Sequence, residues 1–239
     1  MGVAVSVDGV VTILLPGTGS DDDYLRRALA ASLEQAGAVV LTVAPRPDRL
    51  VDGYLEALDR IWSARAQDGR IAVGGVSLGA VLATRWALAH PERTVAVLAV
   101  LPPWTGEPDD APAAVSARHT AAALRRDGLA ATTAAMRASS PGWLADELGR
   151  SWARQWPALP DAMEQAASCV APSRTELNRL PVPLAVVGAD DDPVHPAAVA
   201  RDWASWAPHA ALRTVRLEEF GPHPALLGRA CVEALCAIG

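Results

Sequence analysis

The chain has no lysine, so all 21 of its basic side chains are arginines. That excludes lysine Schiff-base chemistry and a serine–lysine dyad. Only three cysteines occur, Cys169, Cys231 and Cys236, and none forms a C-x-x-C pair. So sparse and odd a set is no disulfide framework and no thiolate metal site; Cys231 and Cys236 read as core residues of an apolar terminal helix. No run of about 18 uncharged apolar residues is present, which excludes a membrane span of the helical kind. The opening residues, MGVAVSVDGV, lack a basic stretch leading into a long apolar run, so no signal peptide is expected and the cytoplasm is the default location. Basic stripes with interleaved aromatics are also missing, and the net charge is −6. Nucleic acid is therefore not an expected partner.

What remains is a chain of 239 residues, 51% hydrophobic and 20% charged, long enough for one large α/β domain with a sizeable core. Val3–Val7 and Val10–Leu15 flank Asp8-Gly9, which predicts a β-hairpin. Further apolar runs at Val39–Val43, Arg70–Val76 and Val95–Leu101 alternate with helical stretches at Asp21–Ala36, Asp48–Ala66 and Leu78–Ala89. That rhythm predicts a mostly parallel sheet covered by helices on both faces.

The rhythm breaks from Pro102 to about Leu180. This segment is alanine-rich, with helical stretches at Ala111–Arg126, Leu129–Ala138, Pro141–Gln155 and Leu159–Ala167. It carries Trp104, Trp143, Trp152 and Trp156, half of the eight tryptophans. Residues 102–180 are thus expected to be a helical cap inserted into a core of residues 1–101 and 181–239. The rhythm resumes with strand Leu184–Gly188, helix Pro196–Trp206, strand Leu212–Leu217 and helix Pro224–Ile238.

At Gly75-Val76-Ser77-Leu78-Gly79 a buried strand runs into a helix through G-x-S-x-G. The corner needs glycines two residues either side of the serine because a Cβ there meets backbone, and the serine is left exposed as a nucleophile. A serine hydroxyl needs a base, and the base needs a group to orient it. On a parallel sheet, groups beyond the C-terminal ends of strands can meet. Asp190-Asp191-Asp192 follows one strand and His223 the next.

Three segments, GGVSLGA around Ser77, VVGADDDPVHP around Asp192 and FGPHPALL around His223, resemble those of the α/β-hydrolase superfamily, in its order Ser…Asp…His. The resemblance spans nearly the whole chain. It implies Ser77 as nucleophile, His223 as general base and then acid, and Asp192 as the acid partner, with Asp191 as runner-up. Asp192 is chosen because it opens a D-P-x-x-P turn. The resemblance also implies an oxyanion hole from the backbone N–H groups of Leu78 and Thr18. Many members carry His-Gly where this chain has Pro16-Gly17, so a supporting histidine is missing there but the backbone donor is kept. Trp104, just beyond a strand end, is the expected substrate-binding residue. His195 is expected to serve the start of a helix, and His90, His119 and His209 to be structural.

The runs Asp21–Asp23 and Asp190–Asp192 could suggest a metal, but both precede helices, where acidic charge is favourable without one. Gly17-Thr18-Gly19 could suggest a dinucleotide, but Asp22 occupies the place of the third glycine. No metal and no cofactor are expected. The implied function is a serine hydrolase cleaving an ester, thioester or related acyl bond of a small apolar substrate through an acyl-enzyme. Acyl transfer, lyase chemistry or C–C hydrolysis on the same triad is the alternative within enzymes. A non-catalytic scaffold binding a ligand or a protein is the alternative outside them. Oligomeric state is not encoded legibly.

Overall fold

Near-continuous apolar runs become the strands of one sheet in the computed structural model, which describes residues 5–65 and 69–238. The strands are β1 (Val11–Leu15), β2 (Val39–Thr42), β3 (Ile71–Val76), β4 (Thr94–Val100), β5 (Leu184–Ala189) and β6 (Ala210–Val215). Every residue of β3 and β5 is buried, as strands covered on both faces require. Their order is β2-β1-β3-β4-β5-β6, and every neighbouring pair is parallel.

Between the strands lie α1 (Asp22–Leu25), which passes through a π-helical segment, Arg26–Ala30, into α2 (Ala31–Gln35), then α3 (Leu50–Arg65) and α4 (Leu78–Ala89). Four helices stand between β4 and β5: α5 (Pro112–Ser139), α6 (Gly142–Gln155), α7 (Leu159–Ala167) and α8 (Arg174–Leu177). After β5 come α9 (Ala197–Trp206), β6, α10 (Leu217–Phe220) and α11 (Ala225–Ala237).

The period-2 alternation of each strand splits its side chains between two cores. Ile13, Val73, Val97 and Val186 pack under α3, α4 and α9, with Leu58, Val81, Trp86 and Trp203. Leu14, Ala72, Leu98 and Val187 pack under the first helical unit and α11, with Leu25, Leu29, Leu227 and Leu235. Full burial of one such leucine stabilises the fold by about 1.5–3 kcal/mol. A smaller third cluster, Ala121, Leu124, Trp152, Leu159 and Met163, holds the inserted helices together.

The sheet order reverses at β1: the chain moves to β2 on one side and to β3 on the other. Such a reversal opens a crevice at the C-terminal ends of those strands. The inserted helices are tied to the sheet domain beside this crevice. Arg150 and Arg154 of α6 reach the buried carboxylate of Asp21, at 2.9 and 3.3 Å, and Glu147 pairs with Arg27. Asp21 also accepts the Tyr24 N–H and so caps α1.

Two local expectations are corrected. The Asp8-Gly9 turn forms, with the Val10 N–H on the Val7 carbonyl, but it leads into no hairpin among the described residues. Val5–Val7 is not a strand, β1 pairs in parallel on both edges, and Val3 and Ala4 lie outside the described residues. Instead the turn docks on the next crossover, where the Gly9 N–H donates to the Gly37 carbonyl. The two helical stretches expected at 111–126 and 129–138 do form within α5, parted at Gly128, whose φ of 79° and ψ of 172° are not helical. The last strand ends at Val215 rather than Leu217, because Leu217 opens α10. Ala66, the expected end of the second helix, lies outside the described residues. Among the described residues no helix is long and apolar enough to cross a membrane.

Candidate active site

Ser77 sits at the corner between β3 and α4 with φ 55° and ψ −115°, a left-handed conformation that is costly for a side-chain-bearing residue. Its neighbours show what compels the glycines. A Cβ on Gly75 would stand 2.2 Å from the Leu15 carbonyl oxygen, and one on Gly79 would stand 2.0 Å from the same atom. Both glycines are therefore fixed by the passage of β1 beneath the corner. The Ser77 N–H is spent on the Val100 carbonyl, at 2.9 Å, which pins the corner to β4.

The loop beyond β5 supplies the groups that meet Ser77. Oδ1 of Asp192 accepts the N–H groups of Val194 and His195, at 2.8 and 3.2 Å, and folds Asp192–His195 into a tight turn. That turn brings the His195 ring back over the carboxylate. Nδ1 of His195 lies 2.8 Å from Asp192 Oδ2, and Nε2 lies 3.0 Å from Ser77 Oγ. An ionised carboxylate can only accept, so Nδ1 carries the hydrogen and Nε2 is free to accept from the Ser77 hydroxyl. Burial pushes the Asp192 carboxyl upward. The hydrogen bond and charge of His195 and the two backbone N–H groups outweigh this and hold it below the ordinary aspartate value. The side chains of His195 and Asp192 are 17% and 7% exposed, so the pair is shielded but reachable from the crevice.

His223, expected at this point, is not brought to Ser77. It is exposed on the loop between α10 and α11, does not line the crevice, and makes no side-chain hydrogen bond among those of the described residues. Asp191 accounts for this. Its carboxylate accepts the N–H groups of Leu217 and Glu218, so the chain leaving β6 coils at once into α10. His223 follows that helix, exposed on the short loop before α11. Asp190 lies 3.7 Å from Arg201 on the surface. Of the three aspartates, Asp192 is the one whose carboxylate meets an imidazole among the described residues.

In the sequence His195 stands just before Pro196, the N-cap of α9, a place where a structural role suffices. The available signal was the Asp-Pro-x-His spacing. An aspartate that accepts the N–H groups two and three residues on places the third residue beside itself.

The loop after β1 abuts Ser77 from the other side: a Cβ on Gly17 would lie 3.3 Å from the Ser77 Cβ. Thr18 follows. Its N–H and that of Leu78, the first residue of α4, make no hydrogen bond to another part of the chain among the described residues. A cavity of about 830 Å³ spreads from these groups beneath the inserted helices. Trp104 is buried on its wall, but its indole N–H is committed to the Cys169 carbonyl at 3.1 Å. It offers the cavity an apolar face. His119 lies exposed on α5 at the cavity's edge, and His90 packs against Trp86 away from it. No group of three or more potential metal ligands occurs among the described residues.

The sequence pattern of the alpha/beta hydrolase family matches residues 4–227. The chain belongs to this family. No curated protein matches it by sequence. Solved structures share the hydrolase fold at low identity. A hydrolase from Oleispira antarctica superposes with a TM-score of 0.69 at 15% identity, over 95% of this chain and 93% of that one. A carboxylesterase from the ammonia-oxidizing thaumarchaeon Nitrososphaera gargenis gives 0.69 at 15% identity, over 90% and 84%. The enol-lactonase from Burkholderia xenovorans gives 0.65 at 20% identity, over 92% and 87%. At these identities the likeness carries the fold and leaves the substrate of this alpha/beta hydrolase to its own site.

Proposed function

We propose that this alpha/beta hydrolase is a serine hydrolase that cleaves an ester, thioester or related acyl bond of a small, largely apolar substrate through an acyl-enzyme. The observation that carries the reading is the hydrogen-bonded chain Ser77–His195–Asp192, with links of 3.0 and 2.8 Å. Ser77 Oγ attacks the acyl carbon while His195 Nε2 takes its proton. Asp192 holds the imidazole in the accepting tautomer and stabilises the imidazolium that forms. The N–H groups of Leu78 and Thr18 receive the oxyanion, where one lost donor typically costs about 10²–10³ in rate. His195 then returns its proton to the leaving group and activates the water that frees the acid. In this reading α5–α8 form the cap, residues 102–180, over a core made by the rest of one domain. The apolar cavity wall and the esterase chemistry named for the N. gargenis neighbour both favour an acyl substrate.

A fluorophosphonate probe tests the nucleophile directly. The native protein is expected to label covalently and Ser77→Ala to stay unlabelled while keeping its thermal transition. Absence of labelling in the folded native protein would overturn the reading.

A further inference from the structure

We propose that Tyr24 is a specificity-determining residue of this site, its phenolic hydroxyl donating a hydrogen bond to an uncharged ether or carbonyl oxygen on an otherwise apolar substrate. The proposal rests on the acyl chemistry above for its setting and on separate atoms for its content.

Tyr24 stands in the first turn of α1, where Asp21 Oδ1 accepts its N–H at 3.1 Å. Its ring packs against the core between the sheet and α11, and the Arg27 guanidinium lies 5.7 Å from the ring centre. The residue lines the cavity together with Ser77, Asp192 and His195. Its hydroxyl makes no hydrogen bond among the described residues, yet it is not one of the polar atoms sealed from accessible surface. Ser20, Thr132 and Trp152 differ in that respect. They too belong to the wall, but their unpartnered polar atoms are sealed and out of a ligand's reach.

Two carboxylates act on the Tyr24 hydroxyl, those of Glu147 on α6 and of Asp192, and both residues line the same cavity. The hydroxyl therefore lies on the cavity side of the ring. Each of the four carboxylate oxygens already accepts elsewhere. Glu147 is held by Arg27 and Arg150, and Asp192 by Val194 and His195. Burial raises the phenol above its ordinary value, and the charges of Glu147 and Asp192 add to this against that of Arg27. The group thus stays protonated and keeps a hydrogen to donate. A lone donor of this kind in a mainly apolar cavity orients its ligand.

The charges nearby decide that the oxygen is neutral. A substrate carboxylate would meet Glu147 and Asp192. Among the described residues the one arginine on the wall, Arg126, is paired with Asp127. Ser140, which ends α5 and also lines the cavity, is the competing assignment.

The test compares p-nitrophenyl hexanoate with isosteres in which an ether oxygen replaces the carbon at position 3, 4 or 5. Pentyl hexanoate against 2-ethoxyethyl hexanoate probes the alcohol side. Intrinsic reactivity cancels when each ether-to-alkyl ratio of kcat/KM is compared between proteins. For at least one pair, Tyr24→Phe is expected to lower that ratio about three- to tenfold, the size of one neutral hydrogen bond. Ser140→Ala is expected to leave every ratio unchanged. Equal ratios in native protein and Tyr24→Phe, or a fall confined to Ser140→Ala, would overturn the assignment. Fluorophosphonate labelling of each variant separates this failure from failure of the nucleophile. Tyr24 and Tyr54 are the two tyrosines of the chain, so protein labelled with ¹³Cζ-tyrosine gives two signals, and that of Tyr24 is identified by its loss in Tyr24→Phe. Its resonance is expected further downfield in the adduct of an ether-chain fluorophosphonate than in that of the all-carbon analogue. Identical shifts in the two adducts count against the assignment.

Discussion

Two histidine-bearing loops follow the last two strands, and adjacent aspartates shape them in opposite ways. In the loop after β5, Asp192 gathers the N–H groups of its own next residues and turns His195 inward to 3.0 Å from Ser77. In the loop after β6, the carboxylate of Asp191 gathers the N–H groups of Leu217 and Glu218, and His223 faces solvent. The difference lies in which backbone each carboxylate organises. A local turn brings its imidazole home, whereas a long-range cap starts a helix that carries the other one away.

The sharpest way to break the comparison is to remove each imidazole in turn. His195→Ala is expected to lower kcat/KM for a p-nitrophenyl ester on the order of 10⁴-fold or more, since losing the base removes the nucleophile with it. His223→Ala is expected to stay within about twofold, as exposed substitutions do. The reverse outcome would return the base to the last loop.

Asp192→Asn comes next. The new side chain can still accept the two backbone N–H groups, but it presents an amide N–H to Nδ1. The imidazole then carries its hydrogen on Nε2 and cannot accept from Ser77. A fall of roughly 10³–10⁴ in kcat with little change in KM is expected in steady-state assays.

The smallest effect is on stability at low pH. Hydrogen bonds from the Leu217 and Glu218 N–H groups and the Arg216 charge hold Asp191 below the ordinary value of 3.8, and Asp192 is held below it as well. A carboxyl lowered by folding adds stability that is complete above the unfolded value and vanishes as pH falls through the folded one. Thermal unfolding followed from pH 7 down to pH 2 should show the native protein losing stability below pH about 4. Asp191→Asn and Asp192→Asn should each flatten that fall. Unchanged slopes in both would mean that neither loop is held by its carboxylate.

The same contrast explains what could be read in the residues. The strands were legible because β3 and β5 are apolar on both faces and so leave no period to confuse. The corner at Ser77 was legible because backbone approach leaves Gly75 and Gly79 no alternative. The two short helices were not. α8 rests on a reciprocal cap between Ser173 and Glu176, and α10 on a carboxylate 26 residues upstream of Leu217, an interaction that no window along the chain contains. His195, by contrast, is placed by the local Asp192 turn, whose Asp-Pro-x-His spacing does lie within one short window. The Asp8-Gly9 signal misled because a turn is fixed locally but its docking partner, Gly37, is not.

Because Asp192 and His195 share one four-residue stretch, their separation is set by a few torsions of a single turn. Three hydrogen bonds accepted by Asp192 hold that turn and its imidazole together, whereas a single contact, His195 to Ser77, joins it to the corner on another strand. The turn leaves β5 and the corner leaves β3, so the register of β3, β4 and β5 sets where the two stretches come face to face.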